Sequence, residues 1–447
     1  MRVVHVFPQF TPESTNGSER YEYLLCRKLV EIGVELEILT TTTKDFIPVA
    51  PFCLHWPHQY VESAEERDGI RIRRLRATFQ VPRRLGYFVS RRIENRWRRE
   101  EARYGTMLKG SRNYVDSFHQ RAITRPLIYD LIATFGRGPY SFSLLRAMAG
   151  AIRRCDLVQV GFTPFATCWQ AVAIARLLRK PAVVLALFHP EDLSHHFRTI
   201  YWSFSRASAV LMQTQHSSNI VQRLLPATNP VVVGAGVNRE DFADSKVSGA
   251  RFRSKYNLKG RKLALFVGRK ELFKRYDIAI QAVESLPGDN LHLIMIGRDI
   301  DRRPLSHRRV TYLGELPQED VADAYDACDV FVMPSENESF GIVFLEAWAR
   351  RKPVIGNRLC AAVASVIEHG KDGFLCSGVR ETAEAIARLI ADPALAASMG
   401  HAGYDKTVSN YTWDVIARKV ERLYINLARP SSSPSPPDNA SLRVASS

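Results

Sequence analysis

Short apolar runs alternate with helical stretches in two series, and this constrains the fold more than any other feature of the chain. The first series opens with "RVVHVF" (2–7), then "SERYEYLLCRKLVEIG" (18–33), a helix with Ser18 as its N-cap, then "VELEILTTT" (34–42). It continues through "CDLVQV" (155–160), a helix near 164–178, "PAVVLALF" (181–188), "AVLMQT" (209–214), a helix near 217–225 and "PVVVG" (230–234). The second runs through "KLALFVG" (262–268), "YDIAIQAVESL" (276–286), "LHLIMIG" (291–297), "RVTYLG" (309–314), "EDVADAYDAC" (319–328) and "DVFVMP" (329–334). Apolar runs of this length between helices are the pattern of parallel strands covered on both faces, where neither face meets water. Two such series, split near 240–260, predict an α/β chain of two doubly wound domains.

The chain has 447 residues, enough for more than one core. No apolar run approaches the roughly 18 residues of a membrane span. "MRVVHVFPQF" (1–10) lacks the pattern of a signal peptide and reads as a first strand. Seven dispersed cysteines without a Cys-x-x-Cys argue against a disulfide framework or zinc ribbon, and for a reducing cytoplasm.

The net charge of +16 is regional, since residues 51–200 hold 25 basic and 12 acidic side chains. Residues 78–150 contain no clear strand but many arginines among aromatics, as in "PRRLGYFVSRRIENRWRRE", and read as a helical insertion in the first domain. Leu85, Tyr87, Phe88 and Trp97 interleave with the arginines, a composition suited to peripheral contact with an anionic membrane through residues 78–125. A solvated arginine-heavy helix face is the plainer alternative. Nucleic acid is not an expected partner, because no nucleic-acid-binding motif is present. The Pro/Ser-rich tail, 429–447, has no periodic apolar face and is expected to be disordered.

Within "SENESFGIVFLEAWARRKPVIG" (335–356), Glu346 sits in an otherwise apolar helical run, where an unpartnered carboxylate is expensive to bury. Arg350 at i+4 is one candidate partner, and solvent is another. Strand "DVFVMP" must end at Pro334, and a helix should start near Phe340–Gly341. Ligands bind beyond the carboxyl ends of parallel strands, and a helix N-terminus there offers free N–H groups to a phosphate. Glu338 and Glu346 would flank that anion site as hydroxyl acceptors, the layout required by a sugar nucleotide. Arg269 and Lys274, in the loop after the second domain's first strand, can converge on a diphosphate. The Asp-x-Asp in "RDID" (298–301) is read as surface rather than as a metal site.

Glu-x7-Glu in "ENESFGIVFLEAWARRKPVIG", preceded by "FVGRKELFK" and followed by "GKDGFLC" (370–376), resembles the retaining nucleotide-sugar glycosyltransferases of family 4. "TPESTNGSER" (11–20), "VGAGVNREDF" (233–242) and "YTWDVIARKVERLY" (411–424) resemble that family's first glycine loop, interdomain signature and C-terminal crossing helix. The resemblance implies the GT-B fold, two Rossmann-like domains facing a cleft. Residues 1–242 would be the acceptor side, 243–410 the donor side, and 411–428 the helix crossing back.

By the same resemblance Glu338 would hold sugar hydroxyls, and Phe340, Gly341 and Ile342 would contact sugar and phosphate. Glu346 would hold the ribose, and Arg269 and Lys274 would stabilise the departing diphosphate. His189 would face the donor sugar, unless it is a structural histidine at a strand end. Gly17 and Ser18 would form the acceptor or phosphate loop. The implied activity is retaining transfer of a sugar to an acceptor hydroxyl, in glycolipid, cell-envelope or polysaccharide synthesis. The nucleotide sugar would be co-substrate, with no metal or other cofactor and a sugar or lipid-linked acceptor. Localisation would be cytoplasmic, peripheral on the membrane's cytoplasmic face. A sugar-nucleotide epimerase of the same fold and a non-catalytic binding subunit are the alternatives. The sequence departs from the family at Arg275, where a glycine is usual, at "AAVAS" (361–365), which lacks two glycines and an acid, and in the first loop, which has one glycine.

Overall fold

A computed structural model of the chain describes residues 1–13, 17–43, 60–77, 88, 92, 95, 119, 122–124, 126–135, 137–161, 163, 165–190 and 195–429. The first half forms an eight-stranded sheet from β1 (Arg2–Val6), β2 (Glu35–Thr41), β3 (Ser63–Arg67), β4 (Ile70–Leu75), β5 (Leu157–Val160), β6 (Ala182–Leu185), β7 (Ala209–Met212) and β8 (Pro230–Val232). Its order is β3-β4-β2-β1-β5-β6-β7-β8, and only the β3/β4 pair is antiparallel. Around it lie α1 (Gly17–Glu31), α2 (Leu127–Phe135), α3 (Phe142–Arg154), α4 (Ala166–Leu177), α5 (Arg198–Arg206) and α6 (Gln215–Leu224).

The second sheet comprises β9 (Lys262–Val267), β10 (Leu291–Ile296), β11 (Val310–Tyr312), β12 (Val330–Met333), β13 (Val354–Asn357) and β14 (Gly373–Cys376). All its pairings are parallel, in the order β11-β10-β9-β12-β13-β14. Its helices are α7 (Gly249–Lys255), α8 (Tyr276–Ser285), α9 (Gln318–Ala327), α10 (Ile342–Ala349), α11 (Ala361–Ala364), α12 (Gly378–Ala391) and α13 (Pro393–Asn410), followed by α14 (Trp413–Ala428). The chain is thus two Rossmann-like parallel sheets with helices on both faces. Strand order reverses between β1 and β5 in one sheet and between β9 and β12 in the other, and each reversal opens a crevice at the strand ends.

The strands earn these places by their side chains. β5, β6, β7, β12, β13 and β14 are buried throughout, as runs flanked by helices on both faces must be. α14 returns to the first sheet, where Trp413 meets Tyr21 edge-on at 4.9 Å and the buried Tyr424 hydroxyl lies 3.1 Å from His5 Nε2. Thr412 caps this helix by accepting from Val415 N–H at 3.3 Å, and the Val237↔Thr412 bridge ties the two interdomain crossings together.

Two expectations need correction. α1 begins at Gly17, so Ser18 lies inside the helix and is not its N-cap. α3 overlaps the end of the stretch 78–150 expected to be an insertion and runs on to Arg154, and it covers the first sheet. Its Leu144, Met148, Ala151 and Ile152 are buried in the core, and Ser141 caps it by accepting from Leu144 N–H at 3.1 Å. The arginines above it in sequence mask that apolar face in a simple scan. The β3–β4 hairpin was also unread, because alternating arginines in "IRIRRL" hide a strand that buries Ile70 and Ile72. Leu85, Tyr87, Trp97 and the tail beyond residue 429 lie outside the described residues.

Candidate active site

The loops at the carboxyl ends of β9 and β12 meet α1 and the ends of β6 and β7 across a cleft of about 500 Å³. Gly17, Ser18, His189, Arg269, Lys274, Glu338, Phe340, Gly341, Ile342 and Glu346 all line it. Ten residues spread over the chain are brought to one crevice because both strand-order reversals face it.

The segment after β12 builds the centre. Gly341 is the N-cap of α10 at φ 90°, a left-handed conformation, and a Cβ there would collide with the Phe344 ring. The helix therefore starts at Ile342, one residue later than read, with its first N–H groups open to the cleft. Glu338 and Lys274 are the site's closest charge pair, with Nζ donating to Oε1 at 2.6 Å and both side chains largely buried. Arg269 instead reaches Glu271 at 3.3 Å and is more exposed. The two cations thus share the loop, and each has a carboxylate partner.

Glu346 is not paired with Arg350, whose guanidinium binds Asp326 and Asp244. Its Oε2 accepts from the Tyr325 hydroxyl of α9 at 2.8 Å. Burial raises its pKa above the ordinary carboxylate value, while the charge of Arg20 on α1 and the Tyr325 hydrogen bond act against that rise. Among the described residues its one hydrogen-bond partner is thus a neutral hydroxyl, and the Arg350 pairing offered as a candidate is not made. No described residue bonds its other oxygen, and the side chain lines the cleft.

His189 projects from the end of β6, where its Nδ1 lies 2.9 Å from Asn337 Oδ1 on the opposite domain. With that carbonyl accepting, Nδ1 is the donor of the pair. This contact joins the first domain's wall of the cleft to the loop that carries Glu338.

Lys270, Asn337, Tyr325 and Arg20 were not singled out by sequence. Lys270 is fully buried and ion-paired with Asp299 at 2.8 Å and Asp301 at 2.6 Å. Burial opposes its charge, but these hydrogen bonds hold its pKa above the usual lysine value. The Asp-x-Asp read as surface is therefore the counter-charge of a buried lysine that staples the β9 loop to the β10 loop. Arg275, at the family's glycine position, has φ 52° and binds Asp277 at 3.0 Å and also Glu336. The left-handed backbone explains why glycine is usual there, and the ion pairs explain how arginine is tolerated. "AAVA" of the second departure forms the short helix α11.

Two facing Rossmann-like domains with a site in the crevice between them define the GT-B class of fold. Residues 250–406 match the family described as glycosyl transferases group 1. The D-inositol 3-phosphate glycosyltransferase of Corynebacterium diphtheriae is 31% identical over 181 residues, 36% of this chain and 42% of that protein. A GDP-mannose-dependent alpha-(1-6)-phosphatidylinositol monomannoside mannosyltransferase of Mycobacterium tuberculosis is 27% identical over 286 residues, 57% of this chain and 74% of that one. The chain thus spans less than half the length of the corynebacterial relative. Among solved structures, sucrose-phosphate synthase from Thermosynechococcus elongatus superposes with TM-score 0.63 at 19% identity, covering 96% and 99% of the two chains. Anabaena HepE in complex with UDP does so with TM-score 0.66 at 15% identity, covering 95% and 100%.

Proposed function

We propose that this protein transfers a sugar from a nucleoside-diphosphate sugar to an acceptor hydroxyl, with retention of anomeric configuration and without a bound metal. The observation that carries the reading is the arrangement around the start of α10. An open helix N-terminus lies between the Glu338–Lys274 pair and the Tyr325-held Glu346. The donor diphosphate would sit at the helix N-terminus with Arg269 and Lys274, and the ribose on the open oxygen of Glu346. The sugar would lie toward Glu338 and His189, with Gly17 and Ser18 closing the first domain's side.

Breaking the anomeric bond moves negative charge onto the diphosphate, and fixed cations with helix N–H groups stabilise that charge where it develops. Attack by the acceptor hydroxyl on the face the diphosphate leaves gives retention, with a phosphate oxygen taking the proton. The protein's part is to position both substrates and exclude water.

The acceptor is proposed to be a sugar or lipid-linked sugar met at an anionic membrane surface on the cytoplasmic side. Among the described residues no helix is long and apolar enough to cross a membrane. Ile123, Leu127, Ile128, Leu131 and Phe142 are nevertheless exposed beside the arginine-rich stretch, a surface suited to the lipid interface. The mycobacterial relative's name specifies a phosphatidylinositol monomannoside, which supports a glycolipid acceptor.

The test is nucleotide release from a panel including GDP-mannose and UDP-glucose, with and without acceptor. Slow release from one donor, lost in Glu338→Ala, supports transfer. Conversion of the donor sugar to its epimer without transfer points to an epimerase, and failure to bind any donor rejects the enzyme reading. Flotation without preference for anionic liposomes removes the membrane role.

A further inference from the structure

A second cavity, of about 420 Å³, lies outside the described site at the interdomain crossing. Lys28 of the first domain, Asn238 and Arg239 of the linker, and Arg351, Tyr404 and Thr407 of the second domain all line it. Both crossings reach it, because Asp414 of α14 is also in its wall and Val237 bonds the backbone of Tyr411 and Trp413 at 2.9 and 3.2 Å. A ligand there would touch both domains and both connections between them.

Its charges are unequally satisfied. Lys28 is held by Glu31 at 2.7 Å and Asp414 at 3.3 Å, and Asp244 is held by Arg350 at 2.7 Å. Among the described residues Arg239 and Arg351 have no ion-pair partner, and Glu240 is the one remaining acid of the wall without a cation. The Arg351 guanidinium is fixed 4.3 Å from the centroid of the Tyr404 ring, which orients it without neutralising it. Two buried polar atoms have no hydrogen-bond partner, Oδ1 of Asn238 and Oγ1 of Thr407, and Thr407 is 1% exposed. Neither atom is open to solvent, so they reflect packing of the cavity wall, and the ligand-facing groups are the two arginines.

We propose that this hinge cavity binds a small phosphate anion, free or as a phosphomonoester. The guanidiniums of Arg239 and Arg351, which line the cavity and have no ion-pair partner among the described residues, can each donate to phosphate oxygens. An anion held from both sides biases the relative orientation of the two domains, and thereby the width of the cleft.

Equilibrium dialysis of the full chain against labelled inorganic phosphate tests this, with Arg239→Ala, Arg351→Ala and, as the cleft control, Lys274→Ala. Saturable binding is expected in the parent protein and in Lys274→Ala, weakened about tenfold or more in each arginine variant, the loss of one charge-assisted contact. Arg239 is exposed, so its variant keeps the fold even if Arg351→Ala does not. Competition by glycerol 3-phosphate stronger than by phosphate identifies an ester as the occupant, and weaker competition identifies the free ion. Absence of saturable binding overturns the proposal. So does binding that is lost in Lys274→Ala, or that survives in Arg239→Ala.

Discussion

The hydroxyl of Tyr325 donates to Oε2 of Glu346 at 2.8 Å, joining α9 to α10 at the wall of the cleft. That bond fixes one carboxylate oxygen and leaves the other for a ligand. It also favours the ionised form, against the burial that raises the pKa of Glu346. Tyr325→Phe should therefore weaken nucleotide binding by about tenfold, the worth of one hydrogen bond to a charged group. The pKa of Glu346 rises further in the variant, so the acid limb of nucleotide affinity moves to higher pH. Titration calorimetry with UDP or GDP across pH reads both effects, and an unmoved pH limb would show that Tyr325 only packs.

Removing Lys274 should act on turnover more than on affinity. In Lys274→Met the proposed diphosphate site loses a largely buried cation, and Glu338 loses its 2.6 Å partner. A fall in kcat of about 10²–10³-fold is expected, the scale of one electrostatic contact made chiefly in the transition state. Lys274→Met/Glu338→Gln should cost less than the sum of the single changes, because each partner's loss already disarms the other. Steady-state kinetics on the three variants measures this.

Gly341→Ala places a methyl group against Phe344 at φ 90°. The strained backbone costs on the order of 1–3 kcal/mol, and relief requires rotating the first turn of α10 away from the cleft. Both the thermal midpoint and nucleotide affinity should fall, with affinity falling even at temperatures where the variant is fully folded.

Glu22 is buried in α1 with neither carboxyl oxygen hydrogen-bonded, and burial, then the nearby Glu19, raises its pKa well above the ordinary value. The folded state therefore holds a proton that the unfolded chain releases above its own, lower pKa. Stability from this group is full below the unfolded value and declines as pH rises toward the folded one, by up to about 1.4 kcal/mol per pH unit. Glu22→Gln removes that slope, so its stability advantage should grow from mildly acid to alkaline pH. Urea denaturation at several pH values checks the sign, and a parallel pH dependence of the two proteins would refute it.

Much of the site was legible because its residues are local in sequence. Glu338, Gly341 and Glu346 lie within nine residues, and a strand ended by Pro334 places them at a crevice. The pairing of Lys270 with Asp299 and Asp301 was not legible, for the opposite reason. A lysine in a basic loop and two aspartates in a polar loop look solvated until parallel pairing of β9 with β10 sets their loops side by side. Tyr325 was not singled out, since nothing in its own segment marks which buried tyrosine has a carboxylate within reach.

The sequence by itself determined two α/β series, the loops that carry charge and glycine, and the start of the helix after β12. These follow from periodicity, turn chemistry and steric rules, which act over a few residues. Only the tertiary structure decided that α3 covers the first sheet, that Glu346 bonds Tyr325 rather than Arg350, and that His189 reaches Asn337 across the cleft. Those contacts depend on strand order and domain docking, and a hydrogen bond between residues 148 positions apart leaves no local trace in either segment.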